Sequence, residues 1–287
     1  MAAMTQESGV VHFEAMDDVC TLPLARRLAA MLDRDPFALR EGDALPCGWH
    51  VCMFNPPTRQ SDLRHDGAAG LGLVIPDIGL PRLMMGGRQM RFDRPIPIGS
   101  KVRRESRQGE ARIKEGRSGR FALLQVEHRI FVAGETGPAL VESNDYVLRE
   151  ASPTVATGAP PAQAARAADV MDLPAPDLTR KLVPTEQLLF RYSSITDNPH
   201  RIHYDLPYAT GAEGYPALVV NGSIPGMFLL EMFRAAAGRE PASFSARNVA
   251  PMFCGRELGL NLCRQGDAWR LWATDASGTT TYEARAA

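Results

Sequence analysis

The sequence predicts an α+β protein in which an antiparallel sheet curls around a helix, an arrangement expected twice in the chain. Three observations predict it. Residues Gly222 to Ala237 (GSIPGMFLLEMFRAAA) form a helical stretch that is apolar around most of its circumference, so other structure must enclose it. Strand-like runs separated by Gly, Pro and polar turns occur both before and after that stretch. Residues 151–177, rich in Ala, Pro and small polar groups, cannot bury enough apolar surface to offset the entropy of ordering and read as a linker. The expected division is an N-terminal, degenerate copy at 1–150, the linker at 151–177, and a C-terminal, catalytic copy at 178–287.

Taken in order, Leu22 to Asp33 (LPLARRLAAMLD) has helical apolar spacing and ends at Arg34-Asp35-Pro36. From Gly42 to Gly79 the many Pro and Gly residues predict irregular structure. A Gly-Gly pair opens a strand-like piece within Leu83 to Val102, and Pro95 and Pro97 flank the turn that follows. Val102 to Lys114, Phe121 to Ala133 and Ala139 to Arg149 continue as an antiparallel meander. Beyond the linker, Leu188 to Tyr192 reads as a short strand and Leu206 to Ala212 as a helical turn. The apolar helix comes next, then four strand-like runs at Ser243 to Ala250, Glu257 to Cys263, Ala268 to Ala273 and Thr280 to Ala284. A helix enclosed by such a sheet is the hot-dog arrangement, and two copies make a double hot-dog, although no residue-level repeat links the halves.

Composition narrows the function. The 287 residues suffice for two domains, and 45% of them are apolar. The formal net charge of −1 offers no basic field for nucleic acid. No run of about 18 apolar residues is present, and the acidic N-terminus lacks the pattern of a secretion signal, so a cytoplasmic protein without a membrane partner is expected. The five cysteines, Cys20, Cys47, Cys52, Cys254 and Cys263, have no metal-like spacing and read as reduced thiols.

The chemistry concentrates between Phe190 and Phe233. Asp197, Asn198, His200, His203 and Asp205 fall within nine residues, a density of proton-transfer groups that points to acid/base work. His203 is the candidate catalytic base, set against a loop histidine satisfied by backbone. Asp197 could supply a carboxylate beside it, or serve the turn that Asp-Asn-Pro favours. His200 reads as exposed. Asn221, Gly222 and Ser223 stand where the chain enters the apolar helix, and free N–H groups there could bind an oxyanion or simply cap the helix. A metal trio of Asp197, His200 and His203 has no fourth ligand and no metal-type spacing, so no metal is expected.

The segment RYSSITDNPHRIHYDLPYAT, followed by GYPALVVNG and a helix, resembles the MaoC-like hydratase and hydroxyacyl-thioester dehydratase family. The likeness is closer to its two-hot-dog branch, which includes 3-methylfumaryl-CoA (mesaconyl-C4-CoA) and itaconyl-CoA hydratases. LARRLAAMLDRDP, EGDALPCGWH and MGGRQMRFDRPIPIGSKV extend the resemblance through the N-terminal half. The usual MaoC motif is Asp-x-Asn-Pro-x-His. Asn198-Pro199 and Ile202-His203 fit it if His200-Arg201 is an insertion, which makes His203 the catalytic histidine and leaves Thr196 where the aspartate stands, with Asp197 one place later. The branch lacks that aspartate too, and has His-Gly where this chain has Asn221-Gly222.

The resemblance implies a hydro-lyase that adds water to a short branched C5 dicarboxylyl-CoA and forms citramalyl-CoA. It implies His203 and Asp197 as the acid/base groups, with Asn198, Asn221, Gly222 and Ser223 positioning substrate. Arg88, Arg91, Arg191 and Arg201 are the candidates for the substrate's free carboxylate, because a guanidinium pairs with it bidentately. No cofactor is expected beyond the CoA of the substrate, and the chain is expected to form a homodimer. The alternatives are a fatty 3-hydroxyacyl-thioester dehydratase and a non-catalytic acyl-CoA-binding subunit.

Overall fold

The computed structural model describes residues 12–68, 78–80, 82–116, 119–150 and 173–287. Before residue 151, the strands are β1 (His12–Val19), β2 (Arg82–Phe92), β3 (Lys101–Gln108), β4 (Arg112–Gly116), β5 (Gly119–Val132) and β6 (Leu140–Arg149), with helix α1 at Leu22–Met31. After it come β7 (Leu178–Leu182), helices α2 (Glu186–Ile195) and α3 (Ile224–Ala237), then β8 (Ser243–Asn248), β9 (Leu258–Gln265), β10 (Ala268–Thr274) and β11 (Thr280–Ala286).

The strands make one antiparallel sheet in the order β1-β3-β5-β6-β2-β8-β11-β10-β9-β7, with β4 as a flap on β5. Leaving β4 aside, each half runs from its outer edge to the seam as first, third, fourth, fifth and second strand. The halves therefore repeat one topology and meet where β2 pairs with β8, Arg88 opposite Ala246. This is the double hot-dog architecture, and the repeat that the residues do not reveal is present in the strand order.

Helix α3 lies in the C-terminal half of this sheet with Ile224, Leu229 and Phe233 fully enclosed against Leu271 and Leu260. Pro225 pre-sets the first turn, and Gly238 ends the helix with φ of 65°, a conformation that Gly adopts without penalty. Gly226 allows the close approach of Tyr282, whose phenol occupies the space a Cβ would need. The N-terminal half has no counterpart of this length among the described residues. The region expected to be irregular contains a short 3-10 turn at Trp49–Cys52, on which Trp49 and His50 are buried.

Several expectations need correction. Leu188 to Tyr192 is helix, not strand, because Thr185 accepts the Leu188 N–H at 3.2 Å and caps a helix whose Leu189, Tyr192 and Ile195 recur on one buried face. The run from Val102 to Lys114 breaks at Gly109 into β3 and β4. The Gly-Gly pair lies inside β2 at a register shift between Met85 and Gly87, where a Cβ on Gly87 would come within 3.2 Å of the Ala246 carbonyl. The N-terminal series is not a simple meander, since β2 pairs with β6 and β8 and not with β3. β1 and β7, the first strand of each half, were not expected. Of the stretch expected to be a linker, 151–172 lie outside the described residues, and 173–177 lead without regular structure into β7. All five cysteines are free thiols.

Candidate active site

A cavity of about 2270 Å³ has walls from both halves, including His203, Asn221, Gly222 and Ser223 from the C-terminal half and Arg88, Arg104, His128, Glu142 and Asn144 from the N-terminal half. His203 is reached through the short turn Arg201–His203 that follows α2. Its Nδ1 lies 2.7 Å from the Val219 carbonyl, which fixes Nδ1 as the protonated nitrogen and leaves Nε2 with its lone pair. Burial pushes its pKa down to about 4, against the raising effect of the Val219 hydrogen bond, so the ring is neutral at pH 7. His200 stands edge-on to it at 5.5 Å between ring centroids and lines the cavity too; it is half-buried, not exposed as expected.

The turn between α2 and His203 explains the Asp197 position. Thr196 ends the helix and donates its hydroxyl to the Tyr192 carbonyl at 2.8 Å. Asp197 follows with φ of 45°, in the left-handed region, and the Asn198 N–H returns to the Ser193 carbonyl at 2.8 Å. That bond and that conformation make a Schellman ending, in which Asp197 holds the place favoured by Gly or Asn. Asp197 borders the cavity but is exposed, with no hydrogen bond to its carboxylate among the described residues. Asn198 accepts the His200 N–H at 3.2 Å and is committed to the same turn.

Asn221, Gly222 and Ser223 lie where the backbone enters α3. Asn221 is 2% exposed, and its Oδ1 is buried without a hydrogen-bond partner among the described residues. A buried amide oxygen left unpaired costs free energy, so this position is built to receive a donor such as a water molecule. The N–H groups of Gly222 and Ser223 likewise have no acceptor among the described residues. Ser223 lies at the N-cap without capping the helix through its hydroxyl, which leaves the positive end of α3 open.

The four arginines separate clearly. Arg88 lines the cavity and also, with Gly222 and Ser223, a small recess beside the start of α3. Arg91 points away from the cavity, pairs with Asp93 at 2.8 Å and is 64% exposed. Arg191 is exposed on α2 and forms no part of the wall. Arg201 is held by Asp205 at 2.8 Å, stacks over the Tyr208 ring at 4.1 Å and forms no part of the wall either. Of the four candidates, Arg88 is the one that lines the cavity. No group of three or more His, Cys, Asp or Glu among the described residues is arranged to hold a metal ion.

One part of the wall escaped the sequence reading. Glu142 on β6 accepts from His50 Nε2 at 2.9 Å and forms an ion pair with Arg88 Nε at 2.9 Å. Next to it on β5, His128 meets the Ser106 hydroxyl through Nδ1 at 2.9 Å. Burial opposes the Glu142 charge, but Arg88 and His50 outweigh it and hold the carboxyl far below its usual range. The signal available was alternation in LVESNDYVLR, where Glu142 and Asn144 occupy the inward positions.

The family model for hydroxyacyl-thioester dehydratase type 2 matches residues 48–254. The chain belongs to that family. It is 37% identical over 270 residues to mesaconyl-C(4)-CoA hydratase of Chloroflexus aurantiacus, covering 93% of this chain and 92% of the relative. It is 34% identical over 89 residues to the mitochondrial hydroxyacyl-thioester dehydratase type 2 of Schizosaccharomyces pombe, covering 30% of each. The fold matches a MaoC-like dehydratase from Phytophthora capsici with a TM-score of 0.68 at 13% identity, covering 96% of this chain and 94% of that one. It also matches HtdX of Mycobacterium tuberculosis with a TM-score of 0.65 at 16% identity, covering 96% and 99%. With the family comes the reaction type: this hot-dog protein is a hydro-lyase. No helix among the described residues is long and apolar enough to cross a membrane.

Proposed function

We propose that the protein adds water to a C5 dicarboxylyl-CoA, 3-methylfumaryl-CoA or itaconyl-CoA, and releases citramalyl-CoA. The observation that carries the reading is the buried, neutral His203, locked at Nδ1 by Val219 and facing a cavity at the open end of α3. The overall likeness to a hydratase of mesaconyl-C(4)-CoA supports the substrate class.

With 3-methylfumaryl-CoA, the thioester oxygen accepts from the Gly222 and Ser223 N–H groups, which are aimed where negative charge develops. Asn221 holds the water. His203 Nε2 takes one proton from it as the oxygen bonds to the carbon β to the thioester, and the double-bond electrons move to the α carbon and the thioester oxygen. The imidazolium then returns the proton to the α carbon, so the elements of water are added and His203 ends neutral. Asp197 is not required for this cycle. The free carboxylate on the β carbon needs a cation, since burying it unpaired would cost several kcal/mol, and Arg88 beside Gly222 and Ser223 supplies it.

The reading places chemistry in 178–287 and makes 1–150 a degenerate copy that supplies one wall, with one active site per chain and a homodimer as the working state. The test is direct: purified protein is mixed with 3-methylfumaryl-CoA, itaconyl-CoA and crotonyl-CoA. Loss of enoyl-thioester absorbance is followed for the two conjugated thioesters, and product mass is followed for all three because the itaconyl-CoA double bond is not conjugated with its thioester. Faster turnover of either C5 diacid than of crotonyl-CoA, with a citramalyl-CoA product, is expected. Preference for crotonyl-CoA or longer monoacyl thioesters would replace this reading with that of a fatty dehydratase, and an inert protein that binds CoA thioesters would make it a binding subunit.

A further inference from the structure

In the C-terminal half the inward positions of the sheet are apolar and covered by α3, as with Phe244, Leu260, Leu271 and Tyr282. The same face of the N-terminal half carries a polar band between the main core and a smaller cluster around Leu124 and Leu148. Strand register builds it, setting Ser106 opposite His128, His128 opposite Glu142, and Asn144 opposite Arg88. Burying such groups is unfavourable unless each has a partner or a task.

Partners account for much of the band. Glu142 has both His50 and Arg88 within 2.9 Å, and Ser106 pairs with His128. Arg88 has its Nε committed, to Glu142 by charge and to Asn144 Oδ1 at 3.4 Å, and Nη2 reaches only the Met85 sulfur at 3.6 Å. No hydrogen bond to its Nη1 is found among the described residues. The guanidinium is thus pinned at its stem while its outer edge has no oxygen acceptor. A second cation, Arg104, lines the same cavity over the Phe54 ring at 5.3 Å, and no acid lies within ion-pair distance of it among the described residues. Glu14 is close enough to act on Arg104 electrostatically but is not part of the cavity wall. Within this inward-facing band Arg88 and Arg104 stand against the carboxylate of Glu142, which suits the band to one further anion and makes it hostile to an apolar tail; the other carboxylates of the wall, Asp66, Asp145, Asp197 and Glu213 among them, lie outside the band.

We infer that Glu142, itself held by His50, is a positioning residue that presents the outer edge of Arg88 to the free carboxylate of the acyl group, so that the N-terminal half sets substrate choice for chemistry performed in the C-terminal half. This rests on the dicarboxylyl-CoA reading. A carboxylate supplied by substrate completes the pairing of Arg88, whereas a long alkyl chain would have to displace the charged band into apolar contact.

The experiment compares kcat/KM for 3-methylfumaryl-CoA, crotonyl-CoA and oct-2-enoyl-CoA in the parent, Glu142→Gln, Glu142→Asp, His50→Gln and Arg88→Met proteins. Glu142→Gln is expected to lower the diacid-to-crotonyl ratio at least tenfold, mostly through KM, with partial recovery in Glu142→Asp and a smaller loss in His50→Gln. Arg88→Met should lower the ratio further. If Glu142→Gln does not fold, Glu142→Asp carries the test, because it keeps the buried charge while drawing the carboxylate back from Arg88. An unchanged ratio in the folded variants, or an equal loss on all three substrates, overturns the positioning role while the diacid reading stands. A parent that prefers crotonyl-CoA or oct-2-enoyl-CoA overturns the diacid reading itself.

Discussion

His203 and Val219 are joined by a 2.7 Å hydrogen bond from the imidazole Nδ1 to the backbone carbonyl, across 16 residues of chain. The bond does what a neighbouring carboxylate often does for a catalytic histidine. It selects the tautomer and orients the ring, but it adds no negative charge to raise the pKa. His203→Ala should lower turnover by about two to four orders of magnitude, the usual worth of a positioned base, and leave the folded circular-dichroism spectrum in place. Retention of most activity would move the chemistry to another residue.

Asp197 and Asn221 make opposite predictions. Asp197 occupies a left-handed helix-ending position, which Asn tolerates at least as well. Asp197→Asn should therefore keep most of the parent's turnover and melting temperature. Asn221→Ala removes a buried, unpartnered amide oxygen from the wall and should depress kcat strongly. Assays of the two proteins side by side decide which residue serves the water; the reverse order of effects would restore Asp197 to the chemistry.

Acid should weaken the fold over a defined window. The pKa values of His203 and His128 are lowered from 6.5 to about 4, in each case mainly by burial. Between those values the unfolded chain binds protons that the native one does not, so stability rises with pH and is lost as pH falls from about 6.5 toward 4. Glu142, whose carboxyl is depressed on folding by Arg88 and His50 against the pull of burial, adds a loss that begins near its ordinary value of 4.5 and continues below it. Urea midpoints measured from pH 7 to pH 4 should decline steadily, and replacing His128 by Asn should flatten the upper part of that slope. A midpoint constant over the window would contradict the buried neutral state of both rings.

Much of this was legible in the residues because apolar periodicity and Gly/Pro punctuation are local signals. The α3 pattern and the four strands after it follow that logic, and so does the His203 segment. What was not legible depended on register. The pairing of β2 with β8, which makes the two halves one sheet, leaves no local mark. Glu142 and Arg88 lie far apart in the chain and meet because β2 and β6 are adjacent, and His50 joins them from the distant turn Trp49–Cys52. Within α2, Leu188 to Tyr192 reads as strand because its apolar residues form a short run, and the Thr185 cap that decides the matter precedes that run.

Gly222 offers a test of the oxyanion donors that leaves every titratable group intact. A Cβ built at this position would lie 2.9 Å from the Asn248 side-chain amide, closer than such contacts occur, so Gly222→Ala must shift either the start of α3 or Asn248. If the Gly222 and Ser223 N–H groups stabilise the thioester oxygen, a small displacement there weakens transition-state binding more than substrate binding. Turnover should fall by about tenfold to a hundredfold, a fraction of the two to three orders that loss of a whole donor brings, with KM changing little. Asn248 donates to the Met85 carbonyl at only 3.4 Å, a weak bond whose removal is tolerable. Adding Asn248→Ala should therefore make room for the new methyl group, let the backbone return, and recover much of the lost turnover. Full activity in Gly222→Ala alone would mean that the oxyanion is held elsewhere, and a single-variant loss that the second substitution does not relieve would point to damage in the helix rather than to the donors.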